Sequence, residues 1–230
     1  EARAKVERVV PIRIELPQSG LPAHHVLVDA RGVSVERGGR TLFASLDFSV
    51  IGPERIALAG PNGSGKTSLI RTILGLDAPS SGTIASERER MALLDQDLTL
   101  VGSAESLIDA MQRHNPAIDR RQAHEALAAY GFRNNLAHRA VATLSGGERV
   151  RLALACLFSR PEPPQMLILD EPTNHLDLAA TEQLETALNA YDGAILCVSH
   201  DSTFRSALGI SKEITLPEAS ERSASLNGNA

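Results

Sequence analysis

Short apolar runs, each closed by a glycine, a proline or an acidic position, punctuate this chain. Val26-Leu27-Val28 and Val33-Ser34-Val35 read as strand, and Leu46, Phe48 and Val50 alternate with polar neighbours as a half-buried strand does. Gly38-Gly39 and Gly52-Pro53 mark turns, so the first part reads as largely antiparallel. Ile56-Ala57-Leu58-Ala59, Met91-Ala92-Leu93-Leu94, Met166-Leu167-Ile168-Leu169 and Ala194-Ile195-Leu196-Cys197-Val198 are apolar throughout, the pattern of strands covered on both faces. Thr83-Ile84-Ala85 and Glu213-Ile214-Thr215-Leu216 are shorter strand candidates, and Pro79-Ser80-Ser81-Gly82 reads as a loop.

Helical spacing fills the intervals. Ser68 to Leu74 follows a glycine-rich stretch and stops at Gly75. Residues 103–114 and 119–130 read as two helices resting on Leu107, Ile108, Met111, Ala123, Leu127 and Tyr130. Asp119 with Gln122 resembles a capping box, and Gly131 suits the stop. Leu144-Ser145-Gly146-Gly147-Glu148 opens a helix carrying Val150, Leu152, Ala153, Cys156 and Leu157. Pro161-Glu162-Pro163-Pro164 is a surface loop, and Leu178 to Tyr191 is a helix stopped by Gly193. Strands alternating with helices predict an α/β fold, with a helical subdomain inserted between about 100 and 160. Residues 1–8 have helix-forming composition. Pro11, Pro17, Gly20 and Pro22 then surround the alternating Ile12–Leu16, so 1–25 reads as a linker with one edge strand. The Ser, Glu, Asn and Gly content of 217–230 reads as a disordered tail. Residue 1 is Glu and no leader pattern is visible, so a piece of a longer protein is expected.

Chemistry enters at Gly60-Pro61-Asn62-Gly63-Ser64-Gly65-Lys66-Thr67, which lies between an apolar strand and a helix. That context turns a G-x-x-x-x-G-K-[ST] match into a phosphate site. Glycines let successive N–H groups curl inward as an anion nest, and the helix start, with Ser68 beside it, adds partial positive charge. Lys66 would reach the β- and γ-phosphates and the Thr67 hydroxyl would ligate Mg²⁺. The bland alternative is a glycine turn that includes a lysine.

Asp170 and Glu171 end an apolar strand, where ligands bind in open α/β sheets. A carboxylate there can hold Mg²⁺, and its neighbour can take a proton from attacking water; a solvated acidic turn is the alternative. Gln96 could ligate Mg²⁺ or position water, or be a surface amide. His200 ends a buried strand, and a histidine there is by itself more often structural than functional. Ser145-Gly146-Gly147 at a helix start is a second anion site and also an ordinary N-cap completed by Glu148. Two separate phosphate cradles in one chain suggest two copies that close on each other's nucleotide.

Composition narrows this further. The 230 residues are 43% hydrophobic and only 3% aromatic, enough for one large domain with an aliphatic core. A net charge of −5 and the absence of a basic block give no global case for nucleic-acid binding. No apolar run approaches the ~18 residues of a membrane helix. Cys156 and Cys197 sit in apolar runs, which predicts buried thiols and fits a cytoplasmic setting. His24, His25, His114, His124 and His138 have no metal-binding spacing and read as surface residues.

Taken in order, these motifs resemble the nucleotide-binding domain of the ABC ATPases over about residues 26–216. The resemblance implies a Walker A loop at 60–67, a Q-loop at Gln96, a signature at Leu144–Glu148, a Walker B strand at 166–170, Glu171 as the base, a D-loop at Leu176-Asp177 and a switch at His200. It implies an α/β P-loop NTPase fold with an antiparallel β subdomain and a helical subdomain. The activity it implies is MgATP hydrolysis completed by a second ABC domain, whose nucleotide Ser145, Gly146, Gly147 and Glu148 would cover. The wording Asp170-Glu171-Pro172-Thr173-Asn174-His175-Leu176-Asp177, with Glu148 in the signature, resembles the ABC-F proteins. Those carry two such domains, lack a transmembrane part, and act on the ribosome as translation or antibiotic-resistance factors. This piece is similar to their second domain, with the main ribosome contacts in missing regions. The ATPase subunit of a membrane transporter is the alternative. The family's adenine-stacking aromatic falls at Arg37, whose guanidinium can also stack on a base. Ser202-Thr203 stands after His200 where the family more usually has an Arg-aromatic pair.

Overall fold

The computed structural model describes residues 16–102 and 105–217. The expected helix end at 1–8, nearly all of the edge strand at 12–16, the start of the helix at 103 and the tail from 218 lie outside the described residues. In chain order the elements are β1 Val26–Arg37, β2 Arg40–Ile51, β3 Arg55–Ala59, α1 Lys66–Ile73, β4 Ser81–Ser86, β5 Met91–Asp95, α2 Leu107–His114, α3 Arg120–Ala129, α4 Gly146–Phe158, β6 Met166–Asp170, α5 Leu178–Ala190, β7 Ala194–Val198, α6 Ser202–Ala207 and β8 Lys212–Thr215. Two sheets result. One is antiparallel with order β2-β1-β4, and the other is parallel with order β5-β6-β7-β3-β8.

The uniformly apolar strands are explained by what covers them. Along β6 and β7, Leu167, Leu169, Ile195 and Cys197 face one core, with α2, α3, α4 and α5. Met166, Ile168, Leu196 and Val198 face a second core, shared with β1, β2 and α1. Period-2 alternation therefore separates two buried faces rather than a wet face from a dry one. The buried residues of the inserted helices belong to the same cluster as Leu167 and Leu169, so the helical lobe is packed onto the sheet. Cys156 and Cys197 are buried and free, and burial pushes both thiols up to about 12.

The structure departs from the sequence reading in several places. Val26–Val28 and Val33–Val35 belong to a single strand, in which a register shift between Ala30 and Val33 absorbs Gly32 as a bulge that the spacing does not show. Ser81 and Gly82, expected in a loop, begin β4; a Cβ on Gly82 would sit 2.2 Å from the Gly32 carbonyl oxygen, so only glycine lets the two strands approach there. α6 has no counterpart in the sequence pattern; it is capped by Asp201, whose Oδ1 accepts from the N–H groups of Thr203 (2.8 Å) and Phe204 (3.1 Å). His114 is half-buried rather than a surface residue: its ring contacts the Leu100 carbonyl and burial lowers its pKa. His25 pairs with Glu87 at 2.8 Å. The described end of the expected linker lies on the domain. Ser19 is buried, its N–H donating to Asp192 (2.8 Å) and its carbonyl accepting from Gln165 (3.1 Å).

Candidate nucleotide site

β3 delivers the chain to the glycine-rich loop and α1 takes it away, beginning at Lys66. Gly60, Gly63 and Gly65 have φ of 147°, 77° and 102°, values a side chain disfavours. A Cβ on Gly60 would lie 2.9 Å from the Leu216 carbonyl oxygen, and one on Gly65 3.0 Å from the Phe43 ring. The loop therefore needs glycine for conformation and for room. Pro61 accepts from the Ser64 N–H at 3.1 Å, and the Ser64 hydroxyl is buried without a partner among the described residues. The Lys66 ammonium folds back onto the carbonyls of Gly60 (2.7 Å) and Pro61 (3.2 Å), a position that a phosphate would compete for.

A cavity of 490 Å³ opens over this loop. Asn62, Gly63, Gly65, Lys66, Thr67 and Ser68 line it, together with Asp170, Glu171 and His200. The sheet order explains the meeting. β6, β7 and β3 lie in sequence and all run the same way, so their carboxyl ends share one edge. Thr67 Oγ1 donates to Asp170 Oδ2 at 3.1 Å across 103 residues of chain. Burial raises the Asp170 pKa, opposed by the Thr67 hydroxyl and the nearby Lys66, while Glu171 and Asp95 add repulsion. A desolvated carboxylate beside a hydroxyl is a set of hard oxygen donors that fits Mg²⁺. Gln96 is not brought in: it is exposed, outside the cavity lining, and its carbonyl accepts from Asn174 at 3.4 Å.

Glu171 has φ of 52°, left-handed for a non-glycine residue, the kind of strain that gathers at functional positions. Its N–H donates to the Val198 carbonyl at 2.9 Å, which turns the side chain towards β7. There Oε2 accepts from the His200 N–H and Oε1 faces His200 Nε2, both at 3.3 Å. A carboxylate and an imidazole thus stand together at the cavity wall, an arrangement that can hold and receive a proton.

The antiparallel sheet contributes Arg37 and Leu42 to the same cavity. Leu42 and Val198 are lining residues that sequence reasoning missed, since an apolar side chain in a strand gives no chemical signal. Ser145, Gly146, Gly147, Glu148 and Asp177 do not line it. Ser145 caps α4 by accepting from the Glu148 N–H (3.3 Å), and Glu148 accepts in return from the Ser145 N–H (2.9 Å) and from Arg139 (2.8 Å). Burial opposes the Glu148 charge, but those donors outweigh it and hold the carboxyl below its ordinary range. Asp177 caps α5 through the Ala180 N–H at 2.8 Å. Gly146 and Gly147 pack against His175, Leu176 and Ala180, so the two segments form one surface, with Ser145 exposed on it.

A glycine loop between a parallel strand and a helix, with a carboxylate pair two strands away, defines a P-loop nucleotide-binding domain. The family described as ABC transporter matches residues 43–174, and the chain belongs to that family as an ABC-type ATP-binding domain. It is 34% identical over 203 residues to ABC transporter F family member 5 of Arabidopsis thaliana, covering 84% of this chain and 28% of that protein. It is 34% identical over 209 residues to the ribosome protection protein VmlR of Bacillus subtilis (strain 168), covering 88% of this chain and 37% of that protein. The chain thus spans only about a third of the length of these relatives. A bacterial Atm1-family ABC exporter solved with ATP bound superposes with a TM-score of 0.68 at 19% identity, over 88% of this chain and 40% of that one, and shows the shared fold. Among the described residues no helix is long and apolar enough to cross a membrane.

Proposed function

We propose that this chain binds and hydrolyses MgATP as one half of a composite site, in an ABC-F protein that acts on the ribosome in translation or antibiotic resistance. The observation that carries it is the cavity itself. It gathers the phosphate loop, Asp170, Glu171 and His200, yet the Ser145 surface that would complete an anion site lies outside it. Lys66 and the loop N–H groups bind the phosphates, Thr67 and Asp170 hold the ion, and Arg37 takes the base. A bound Mg²⁺ would supply charge neutralisation at the phosphates. Glu171 accepts the proton of the attacking water, and His200 fixes its carboxylate. Gln96 reaches the site only if its contact with Asn174 is given up. Ser145, Gly146, Gly147 and Glu148, with Asp177 beside them, cover the nucleotide of a second ABC domain, in the same chain or in a homodimer. Burial behind that partner excludes water and strengthens every charge interaction on the γ-phosphate. Residues 26–216 form this domain. The setting is the cytoplasm, and the ribosome is met through regions outside this chain. The relative described as a ribosome protection protein supports that partner over a membrane transporter.

The test is a dilution series. ATP turnover per molecule should rise with protein concentration, and the Glu171→Gln form should sediment as a dimer with MgATP and as a monomer without. High turnover that stays flat on dilution, with no dimer in sedimentation, sinks the composite site.

A further inference from the structure

Everything that handles phosphate in the cavity comes from the parallel sheet and its loops, whereas Arg37 ends β1 of the antiparallel sheet. Arg37 is not free to wander. Its Nη2 donates to the Asp77 carboxylate, which also accepts from Arg71, through Nε at 2.7 Å and Nη2 at 3.3 Å. The Asp77 side chain is 18% exposed, against 50% and 49% for the two arginines, so the carboxylate is the sheltered centre of the trio. The Arg71 hydrogen bond, followed by the two positive charges, holds Asp77 below the ordinary carboxylate range, and Asp77 in turn raises Arg71.

The rest of the loop is fixed as well. The Ser80 N–H donates to the Ser34 carbonyl at 2.8 Å, and the Glu36 N–H donates to the Ser80 hydroxyl at 2.9 Å. These bonds tie the segment carrying Asp77 to the edge of β1. Arg71 lies in the last turn of α1, whose first residue is Lys66. One short helix therefore starts at the phosphate loop and carries in its last turn a second arginine bonded to Asp77.

We propose that Asp77 is a positioning residue for the nucleobase, holding the Arg37 guanidinium so that its flat face serves as a stacking platform for either purine. This rests on the reading of Arg37 as the base-side residue given above. A guanidinium has one planar fork of donors and two faces. Asp77 holds the fork at Nη2 alone, which restrains the plane of the guanidinium while half of the side chain stays exposed. Stacking on a face tolerates any base, whereas reading the base edge needs donors. An unrestrained arginine loses rotamer freedom when it stacks, and the Asp77 pairing has already removed much of that freedom. The ligand class is a purine nucleoside triphosphate, with weak discrimination between adenine and guanine.

The experiment is calorimetric titration of the whole chain with MgATP, MgGTP and magnesium tripolyphosphate, which has phosphates and no base. Arg37→Ala should weaken both nucleotides about tenfold and leave tripolyphosphate unchanged. Asp77→Asn should weaken both nucleotides about fivefold, again sparing tripolyphosphate, and Asp77→Glu should give a smaller loss of the same kind. Arg71→Ala should stay within about twofold for all three ligands, since Asp77 still faces Arg37. Nucleotide affinity unchanged in both Asp77 variants, with Arg37→Ala still weak, overturns the positioning role and leaves the base-side reading standing. An unaffected Arg37→Ala overturns both. Loss of tripolyphosphate binding in the Asp77 variants, or an Arg71→Ala effect equal to Asp77→Asn, shows a role in loop stability alone and overturns the proposal.

Discussion

Ser145 has two duties that different substitutions should separate. As an N-cap it accepts from the Glu148 N–H at 3.3 Å, and as an exposed hydroxyl it is available to a partner's nucleotide. Ser145→Ala removes that acceptor but leaves Glu148 bonded to the Ser145 N–H at 2.9 Å and to Arg139 at 2.8 Å. Half of the box survives, so the loss should be near the typical N-cap value of about 1 kcal/mol. For a domain of this size that lowers Tm by about 2–4 °C. Ser145→Asp supplies an equally good cap, with the gain at the helix dipole set against repulsion from Glu148, so Tm should stay within about 2 °C. Its carboxylate would, however, face a triphosphate. In the Glu171→Gln background, MgATP-dependent pairing should therefore be weakened by Ser145→Ala and abolished by Ser145→Asp. Thermal unfolding and sedimentation on the same samples read the two duties independently. A Ser145→Asp chain that pairs as well as Glu171→Gln alone would refute the placement of Ser145 against a phosphate.

Glu171→Gln keeps the shape and one acceptor for the His200 N–H but cannot take a proton; turnover should fall at least about a hundredfold while MgATP binding is retained, and undiminished turnover rejects Glu171 as the base. Glu148 has a lowered folded pKa, so its contribution is complete above the unfolded value and is lost as pH falls through the folded one. Between about pH 5 and pH 3 the wild-type Tm should therefore drop more steeply than that of Glu148→Gln, and identical slopes would remove Glu148 from the acid response.

Local signals in this chain were sound where the structure needed only neighbours. The Asp119–Gln122 and Ser145–Glu148 capping boxes form as their three-residue spacing predicts, and the four wholly apolar runs are the strands β3, β5, β6 and β7. A third box, Ser106 with Asp109, carries the same spacing. Asp201 was an equally visible cap, but six residues of α6 are too few for a helical period to stand out. The place of Gln96 after a strand suggests an ion ligand, yet its carbonyl accepts from Asn174, 78 residues away.

The sequence by itself determined the phosphate loop, the apolar strands and the helix starts, because these depend on backbone freedom, side-chain period and caps within a few residues. Only the tertiary structure decided that β3 lies between β7 and β8, that Thr67 meets Asp170, and that Glu171 takes a left-handed φ against His200. It also decided that Asp77 grips Arg37, and that the Ser145 segment packs on the Asp177 turn rather than over its own phosphate loop. The physical reason is range. Period and capping act over one turn or one pleat, whereas strand order and side-chain meetings are set by how two cores are covered at once. That constraint joins residues tens of positions apart and leaves no mark on the spacing of either.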